Sequence, residues 1–295
     1  ILGIGIIISY VKIREQNLIR EKRILEEKVQ ERTIEIRHKN DELARKNKDI
    51  TDSIKYAKRI QDAILPMEGI FENTFILFMP KDIVSGDFFW MAKKDGKEIM
   101  AAIDCTGHGV PGAFVSFVGH NSLNKIVKEY DISQPSDILD KLNSEVTKTF
   151  NPQGEGVVND GMDMSIICYD KEKNILEYAG AFNPMFLFRN GKLLEYKANR
   201  FSIGRSQKQM EKKFTNHSIK LQKGDTIYLF SDGYADQFGG PDNRKFMAKN
   251  FKDLLSEIQS LSMQEQKMQL ESTIDKWKGK REQIDDILII GRKFK

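Results

Sequence analysis

Cysteine is nearly absent: Cys105 and Cys168 are the only two in 295 residues. That excludes a disulfide-stapled fold and fits a reducing cytoplasm. Proline is also scarce, and between Lys12 and Leu65 there is neither proline nor glycine. Nothing in that stretch would break a helix. The four histidines, His38, His108, His120 and His217, lack the close spacing of a zinc site. Long hydrophobic runs are missing too. A bilayer span needs about 20 apolar residues, and the apolar opening from Ile1 to Val11 falls short. The net charge of +4 is concentrated early, with 15 Lys/Arg against 11 Asp/Glu between Lys12 and Pro66. The remainder is near neutral, without a basic stripe, so a nucleic-acid partner is not expected.

What is present falls into three regions: 1–11, 12–66 and 67–295. The chain begins with Ile rather than Met, so it is expected to be cut from a longer one. Residues 1–11 then read as the last turns of a transmembrane helix. Lys12, Arg14, Arg20, Lys22 and Arg23 follow, and the positive-inside tendency puts that flank in the cytoplasm. An apolar start to a soluble helix is the plainer alternative. From residue 12 to 66, apolar residues recur every seven positions at Val29, Ile36, Leu43, Ile50, Ala57 and Ile64. The row four positions later is mostly polar: Thr33, Asn40, Asn47, Ile54 and Gln61. This pattern predicts a parallel coiled coil and hence a homodimer, with a weak seam suited to signal transmission. A solvated helix that merely spaces two domains is the alternative. Pro66 is expected to end it.

Beyond Pro66 the texture changes to short apolar runs punctuated by Gly, Asn and Asp. Strands are expected at Thr74–Met79, Asp87–Lys93, Glu98–Ile103, Met164–Tyr169, Ile175–Ala181, Met185–Arg189, Thr226–Phe230 and Ile287–Gly291. Tight turns are expected at Asp170–Asn174 and Arg189–Lys192. Helical spacing marks Phe114 to Val127, a second helix opening at Ser133-Gln134-Pro135, and the stretches 246–259 and 263–277. Strands joined by turns, with helices added in groups, define an α+β domain with antiparallel sheets.

Four aspartates stand at the ends of these apolar runs: Asp87, Asp104, Asp232 and Asp285, the last followed by Asp286. Carboxylates gathered there repel one another and lose solvation, so a counter-charge is needed. Hard divalent cations prefer such oxygens, and a metal-dependent hydrolase is the leading reading. Taken singly, each acid has an ordinary explanation as a turn residue or helix cap. Together they demand a common one.

Their surroundings resemble the SpoIIE/RsbU-type serine phosphatases, a bacterial branch of the metal-dependent type 2C (PPM) protein phosphatases. The matching stretches, in family order, include Lys58-Arg59-Ile60-Gln61, Val84-Ser85-Gly86-Asp87-Phe88, Asp104-Cys105-Thr106-Gly107-His108-Gly109-Val110-Pro111-Gly112, Asn159-Asp160-Gly161-Met162-Asp163, Ser231-Asp232-Gly233 and Asp285-Asp286-Ile287. The resemblance implies an α-β-β-α sandwich of two antiparallel sheets with outer helices. It also implies two Mn²⁺ or Mg²⁺ ions held by Asp87, Asp104, the Cys105 backbone carbonyl, Asp232 and Asp285, with Asp286 the alternative to Asp285. One position departs from the family: Leu288 stands where Thr or Ser is usual, a lost hydroxyl expected to loosen ligand orientation without removing a ligand.

Gly107 and Gly109 are expected to form a tight loop beside the metals. An imidazole titrates near pH ~6.5. His108 therefore reads either as a general acid toward the leaving serine oxygen or as a loop hydrogen-bonder. Asp163 is expected to help hold metal or water, or to lie in a surface turn. Lys81 is the one candidate for a phosphate-binding cation. Thiol catalysis is not expected: the Cys-x5-Arg pattern fails, with Pro111 after Cys105 and Asn174 after Cys168. Trp90, Tyr234 and Phe238 read as core or rim packing.

The function expected from the resemblance is hydrolysis of phosphoserine or phosphothreonine on a small protein, such as an anti-sigma-factor antagonist. The catalytic domain would lie in the cytoplasm, anchored to the inner membrane of a bacterium. The helix end from Ala57 to Leu65 would order the metal site when an upstream signal repacks the dimer. A catalytically silent relay module on the same fold is the alternative; loss of the metal carboxylates would mark it, and all four remain.

Overall fold

The computed structural model describes residues 2–65, 71–150, 160–204 and 212–295. Pro66 and Asn159 lie outside the described residues. The chain divides into two units, one running to Ile54 and one from Lys55 to Lys295. Helix α1, Leu2–Ile64, is 63 residues long. With no Gly or Pro after residue 5 to interrupt it, it carries i,i+4 pairs such as Lys39–Glu35 and Lys46–Glu42, both 2.7 Å. Each adds a few tenths of a kcal/mol, ~0.2–0.5. Its heptad row is open to solvent: Val29, Ile36, Leu43 and Ile50 are 56–60 % exposed. No helix among the described residues is long and apolar enough to cross a membrane.

The second unit is a sandwich of two five-stranded antiparallel sheets. One sheet contains β1 (Thr74–Met79), β6 (Met185–Arg189), β7 (Lys192–Tyr196), β9 (Thr226–Phe230) and β12 (Ile287–Lys293), in the order β1-β12-β9-β6-β7. The other contains β2 (Phe88–Lys94), β3 (Lys97–Cys105), β4 (Met162–Asp170), β5 (Ile175–Ala181) and β8 (His217–Lys220), ordered β2-β3-β4-β5-β8. A two-stranded ribbon joins β10 (Phe238–Gly239) to β11 (Arg244–Lys245). Helices α2 (Gly109–Asn124) and α3 (Pro135–Phe150) cover the second sheet, while α5 (Ala248–Glu257) and α6 (Met263–Lys278) cover the first. This is the α-β-β-α sandwich expected from the resemblance.

Strand periodicity explains the layers, because successive side chains face opposite sides of a sheet. On β3, Ile99, Ala101 and Ile103 enter the helix-side core, while Met100 and Ala102 enter the core between the sheets. On β12, Ile287 and Ile289 face the helices, and Leu288 and Ile290 face the opposite sheet. Both faces are buried, which is why these strands read as continuous apolar runs. Emptying one such position, Leu or Ile to Ala, costs about 2–5 kcal/mol.

The strands predicted from sequence match within two residues at each end, and the β4–β5 and β6–β7 turns form as expected. Asn190 and Gly191 both adopt positive φ, as a two-residue hairpin turn requires. The expected elements did not include β7 and β8, one edge strand of each sheet, the β10–β11 ribbon, or the short helix α4 (Gly233–Asp236).

Candidate active site at the seam between the sheets

The alternation that builds the core also gathers the acids. Asp87 immediately precedes β2, Asp104 lies near the end of β3 and pairs in register with Asp163 at the start of β4. Asp232 follows β9, and Asp285 and Asp286 precede β12. Antiparallel pairing brings all these termini to one end of the sandwich. By parity, Asp87, Asp104, Asp163 and Asp286 continue the rows that face between the sheets, so the apolar seam ends in carboxylates.

Close backbone approach makes the gathering possible. A Cβ on Gly233 would stand 2.0 Å from the Asp286 carbonyl oxygen. One on Gly86 would stand 2.3 Å from the Gly107 carbonyl and 3.3 Å from the Cys105 carbonyl. Only glycine allows either contact. The loop after β3 is fastened to the start of β4: Thr106 donates to the Gly161 carbonyl through its amide at 2.9 Å and its hydroxyl at 3.0 Å.

The electrostatics are those of crowded, under-compensated acids. Burial first, then the neighbouring Asp104, raises the Asp87 carboxyl well above the usual range; a hydrogen bond from Ser231 pulls the other way. Asp87 is 3 % exposed, and its Oδ2 has no hydrogen-bond partner. Asp104 is also raised well above normal, by burial and then by Asp232, Asp285 and Asp163. Burial and Asp285 push Asp232 up to about 6. Asp285 is raised by burial, with Lys81 and His108 drawing it down. Each acid is thus raised in part by at least one neighbouring carboxylate. Among the described residues, however, no three acidic, histidine or cysteine side chains close around one point.

The two adjacent acids of the final motif have separate surroundings. The Asp286 carboxylate is buried and accepts from the amides of Lys81 at 2.7 Å, Gly86 at 2.8 Å and Asp87 at 3.4 Å. Asp285 lies at the open rim, with its carboxyl partly enclosed by the neighbouring acids, and that carboxylate accepts a local bond from the Asp286 amide at 2.9 Å. Asp286 is thus occupied in shaping the 81–87 loop, and Asp285 stays available. The Leu288 side chain packs in the core between the sheets, while its amide donates to Ser231 Oγ at 3.1 Å. Ser231 supplies a hydroxyl to Asp87, so orientation of that acid does not depend on a hydroxyl at 288.

His108 Nδ1 lies 2.7 Å from Asp82 Oδ2, a partner outside its own loop. Cys105 and Cys168 are free and buried, and burial pushes the Cys105 thiol well above its ordinary value and Cys168 up to about 11. Neither suits a thiolate nucleophile. Trp90 and Tyr234 are buried, donating to Asn124 and to the Leu270 carbonyl. Phe238 is 36 % exposed on the ribbon.

One residue was passed over as a polar heptad position. Gln61, on the last turns of α1, is 5 % exposed. Its Nε2 donates to the Ser85 carbonyl at 2.7 Å, and its Oε1 accepts from the Ser85 amide at 3.0 Å. It therefore grips the backbone two residues before Asp87. A glutamine in an amphipathic seam just ahead of a domain boundary was the available signal.

The sandwich with its acidic seam is the fold of PP2C-type protein serine/threonine phosphatases. The chain belongs to the SpoIIE family: the model for Stage II sporulation protein E matches residues 94–295. Asp87 and Lys81 precede the matched stretch. Among solved structures, the SiaA-PP2C domain of Pseudomonas aeruginosa is 29% identical, with a TM-score of 0.76 over 84% of this chain and 98% of that one. The PP2C phosphatase domain and regulatory fragment of SpoIIE from Bacillus subtilis is 20% identical, with a TM-score of 0.59 over 75% of this chain and 62% of that one. The catalytic domain of the serine/threonine protein phosphatase PstP, solved with two manganese ions, is 13% identical, with a TM-score of 0.54 over 75% of this chain and 98% of that one. These last two share the fold. No curated protein matches the chain.

Proposed function

We propose that this chain is a metal-dependent phosphoserine/phosphothreonine phosphatase, the output domain of a membrane-linked signalling protein. The observation that carries this reading is the convergence of acids from distant segments around Asp87, whose buried Oδ2 is unpartnered. A carboxylate-rich donor set with raised pKa values fits hard divalent cations. Asp87, Asp104, Asp232, Asp285 and the Cys105 carbonyl would hold two Mn²⁺ or Mg²⁺ ions, and Asp163 borders them. The amides that already engage both oxygens of Asp286 favour Asp285 over this alternative ligand. When bound, such ions supply positive charge to the phosphoryl oxygens and lower the pKa of water toward about 7.

The chain's own groups divide the remaining work. Lys81, which acts electrostatically on Asp285, is the cation nearest to hand for a substrate phosphate. His108 stands at the rim, 52 % exposed at its side chain, where it can meet a leaving group. The Gln61–Ser85 clasp supports a regulatory role for the end of α1, since movement of that helix would move the Asp87 backbone. Polar substitution of Ile60 or Ile64 should therefore alter turnover more than affinity. The solvent-exposed heptad row supports a coiled-coil homodimer. Family membership supports a small phosphorylated regulator as substrate, such as an anti-sigma-factor antagonist. The apolar residues before Lys12, with the basic flank after them, support anchoring to the inner membrane of a bacterium with the catalytic domain in the cytoplasm.

The test is manganese-dependent hydrolysis of a generic phosphoester by the native chain and by Asp104→Asn. Loss of an outer-shell partner alone costs ~10–100-fold, so loss of this carboxylate should cost at least about 100-fold. Equal activity in the two, or none in either with metal present, would leave a silent relay module as the better description.

A further inference from the structure

Asp82 has no part in the acidic cluster, yet its surroundings are constrained on every side. It lies in the 81–87 loop, which the Asp286 carboxylate ties down at Lys81 and Gly86 and Gln61 clasps at Ser85. From that fixed loop its Oδ2 reaches His108 Nδ1 at 2.7 Å, across 26 residues of chain. The opposite side is prepared as well. His108 is the residue before α2, with extended backbone angles (φ −111, ψ 170), and its side chain caps no amide of the helix. Its ring turns to Asp82 instead. Gly109 adopts φ +66, and a Cβ there would stand 3.2 Å from the same Asp82 oxygen. The missing side chain leaves room for the carboxylate to reach the imidazole.

We propose that Asp82 is the positioning residue for His108, accepting the Nδ1 proton so that Nε2 faces the acidic seam as proton donor to the leaving serine or threonine oxygen. This rests on the phosphatase reading above. The step balances simply. As oxygen from water bonds to phosphorus, the phosphorus–oxygen bond to the serine breaks, and that oxygen takes the Nε2 proton from the imidazolium. Serine leaves as the neutral alcohol, phosphate carries the water oxygen with its two protons and gives one up to solvent, and the now neutral imidazole regains one from solvent. A carboxylate on Nδ1 fixes the ring's orientation and tautomer, and stabilises the imidazolium. An exposed ion pair serving only stability is worth little, ~0–1 kcal/mol, and would not sense the leaving group.

That difference defines the experiment. A general acid contributes about 10²–10⁴-fold, and only where the leaving oxygen needs a proton. Asp82→Asn in the full chain with Mn²⁺ should lower kcat on a phosphoserine peptide by about 10–100-fold, with KM within about 2-fold. On p-nitrophenyl phosphate, whose leaving phenolate is stable unprotonated, the loss should be at least about tenfold smaller. His108→Gln should show the same dependence, the double variant should lose little more, and Asp82→Glu should recover part of the activity. In metal-free protein, ¹⁵N NMR of the His108 ring should report a proton on Nδ1 in the native chain and redistribution toward Nε2 in Asp82→Asn. Equal losses on both esters, or a native ring without a proton on Nδ1, would overturn the assignment. A native chain that hydrolyses neither ester with Mn²⁺ would remove the phosphatase reading and this role with it, a result distinct from leaving-group-independent losses in an active enzyme.

Discussion

The two ends of strand β12 handle buried charge in opposite ways. Asp286 stands just before the strand and Arg292 near its far end, on the same alternating row. Arg292 is 5 % exposed, yet it is matched: its guanidinium pairs with Glu98 and lies 4.9–5.3 Å from the rings of Phe294, Phe71 and Tyr169. Here the chain supplies both the counter-charge and the aromatic faces. At the other end, Asp87, Asp104, Asp232 and Asp285 crowd together with mainly each other for company, and their carboxyls are raised. The contrast separates a charge matched within the fold from charges whose neighbours are mainly other acids. Arg292 keeps one buried nitrogen, Nε, without a hydrogen-bond partner, yet its charge is offset by Glu98, whereas the acids at the other end are set mainly against one another.

The comparison can be broken most forcefully at its matched end. Arg292→Ala would leave Glu98 largely buried and alone, and the cost should be about 3–5 kcal/mol. Urea denaturation of native and variant protein reads this directly; a loss below about 1 kcal/mol would show that the two ends do not differ. At the unmatched end the effect should depend on pH. Carboxyls raised in the folded state bind more protons than the unfolded chain does near pH 4–6. Their contribution to stability is therefore fullest below the ordinary carboxyl value of 3.8 and is lost as pH rises through the folded values, about 6 for Asp232. Metal-free protein should lose stability over that window, and Mn²⁺ at 100 times its dissociation constant should restore about 2.7 kcal/mol at neutral pH. Thermal melts from pH 4 to 7, with and without Mn²⁺, check both signs. The smallest effect sits between the two ends. Gln61→Ala should cost about 1–2 kcal/mol for the orphaned Ser85 groups, with turnover falling about tenfold at near-constant KM, as outer-shell losses do. Steady-state kinetics beside a denaturation curve would separate the two.

The same contrast explains what could be read without coordinates. The strands that carry the acids are buried on both faces, so runs such as Met100 to Ile103 and Ile287 to Ile290 announce themselves. The edge strands β7 and β8 do not. In β7 only Leu193 and Tyr196 are even half-buried, and in β8 only Ile219 is buried, too little apolar pattern to separate strand from loop. Each aspartate was visible beside its strand, and the resemblance put Asp285 ahead of Asp286, but what occupies Asp286 was not legible, because it depends on amides 199 to 205 residues away. Pairings made across loops, Asp82 with His108 and Gln61 with Ser85, leave no periodic trace. The heptad row of α1 was legible because it repeats, although the row itself is open to solvent.

The Asp286 clasp has a consequence for how the molecule comes into being. One carboxylate stitches the connector between β1 and β2 to a strand 200 residues further along, and β12 is also the strand inserted between β1 and β9. As the polypeptide leaves the ribosome, the second sheet can pair while the first still lacks an inner member. The connector bearing Asp87 then has the Gln61 clasp at Ser85 but not the carboxylate that fastens Lys81 and Gly86. Asp285, Asp286 and β12 are also the last of these parts in chain order, so the acidic end is complete only when the final strand is in place.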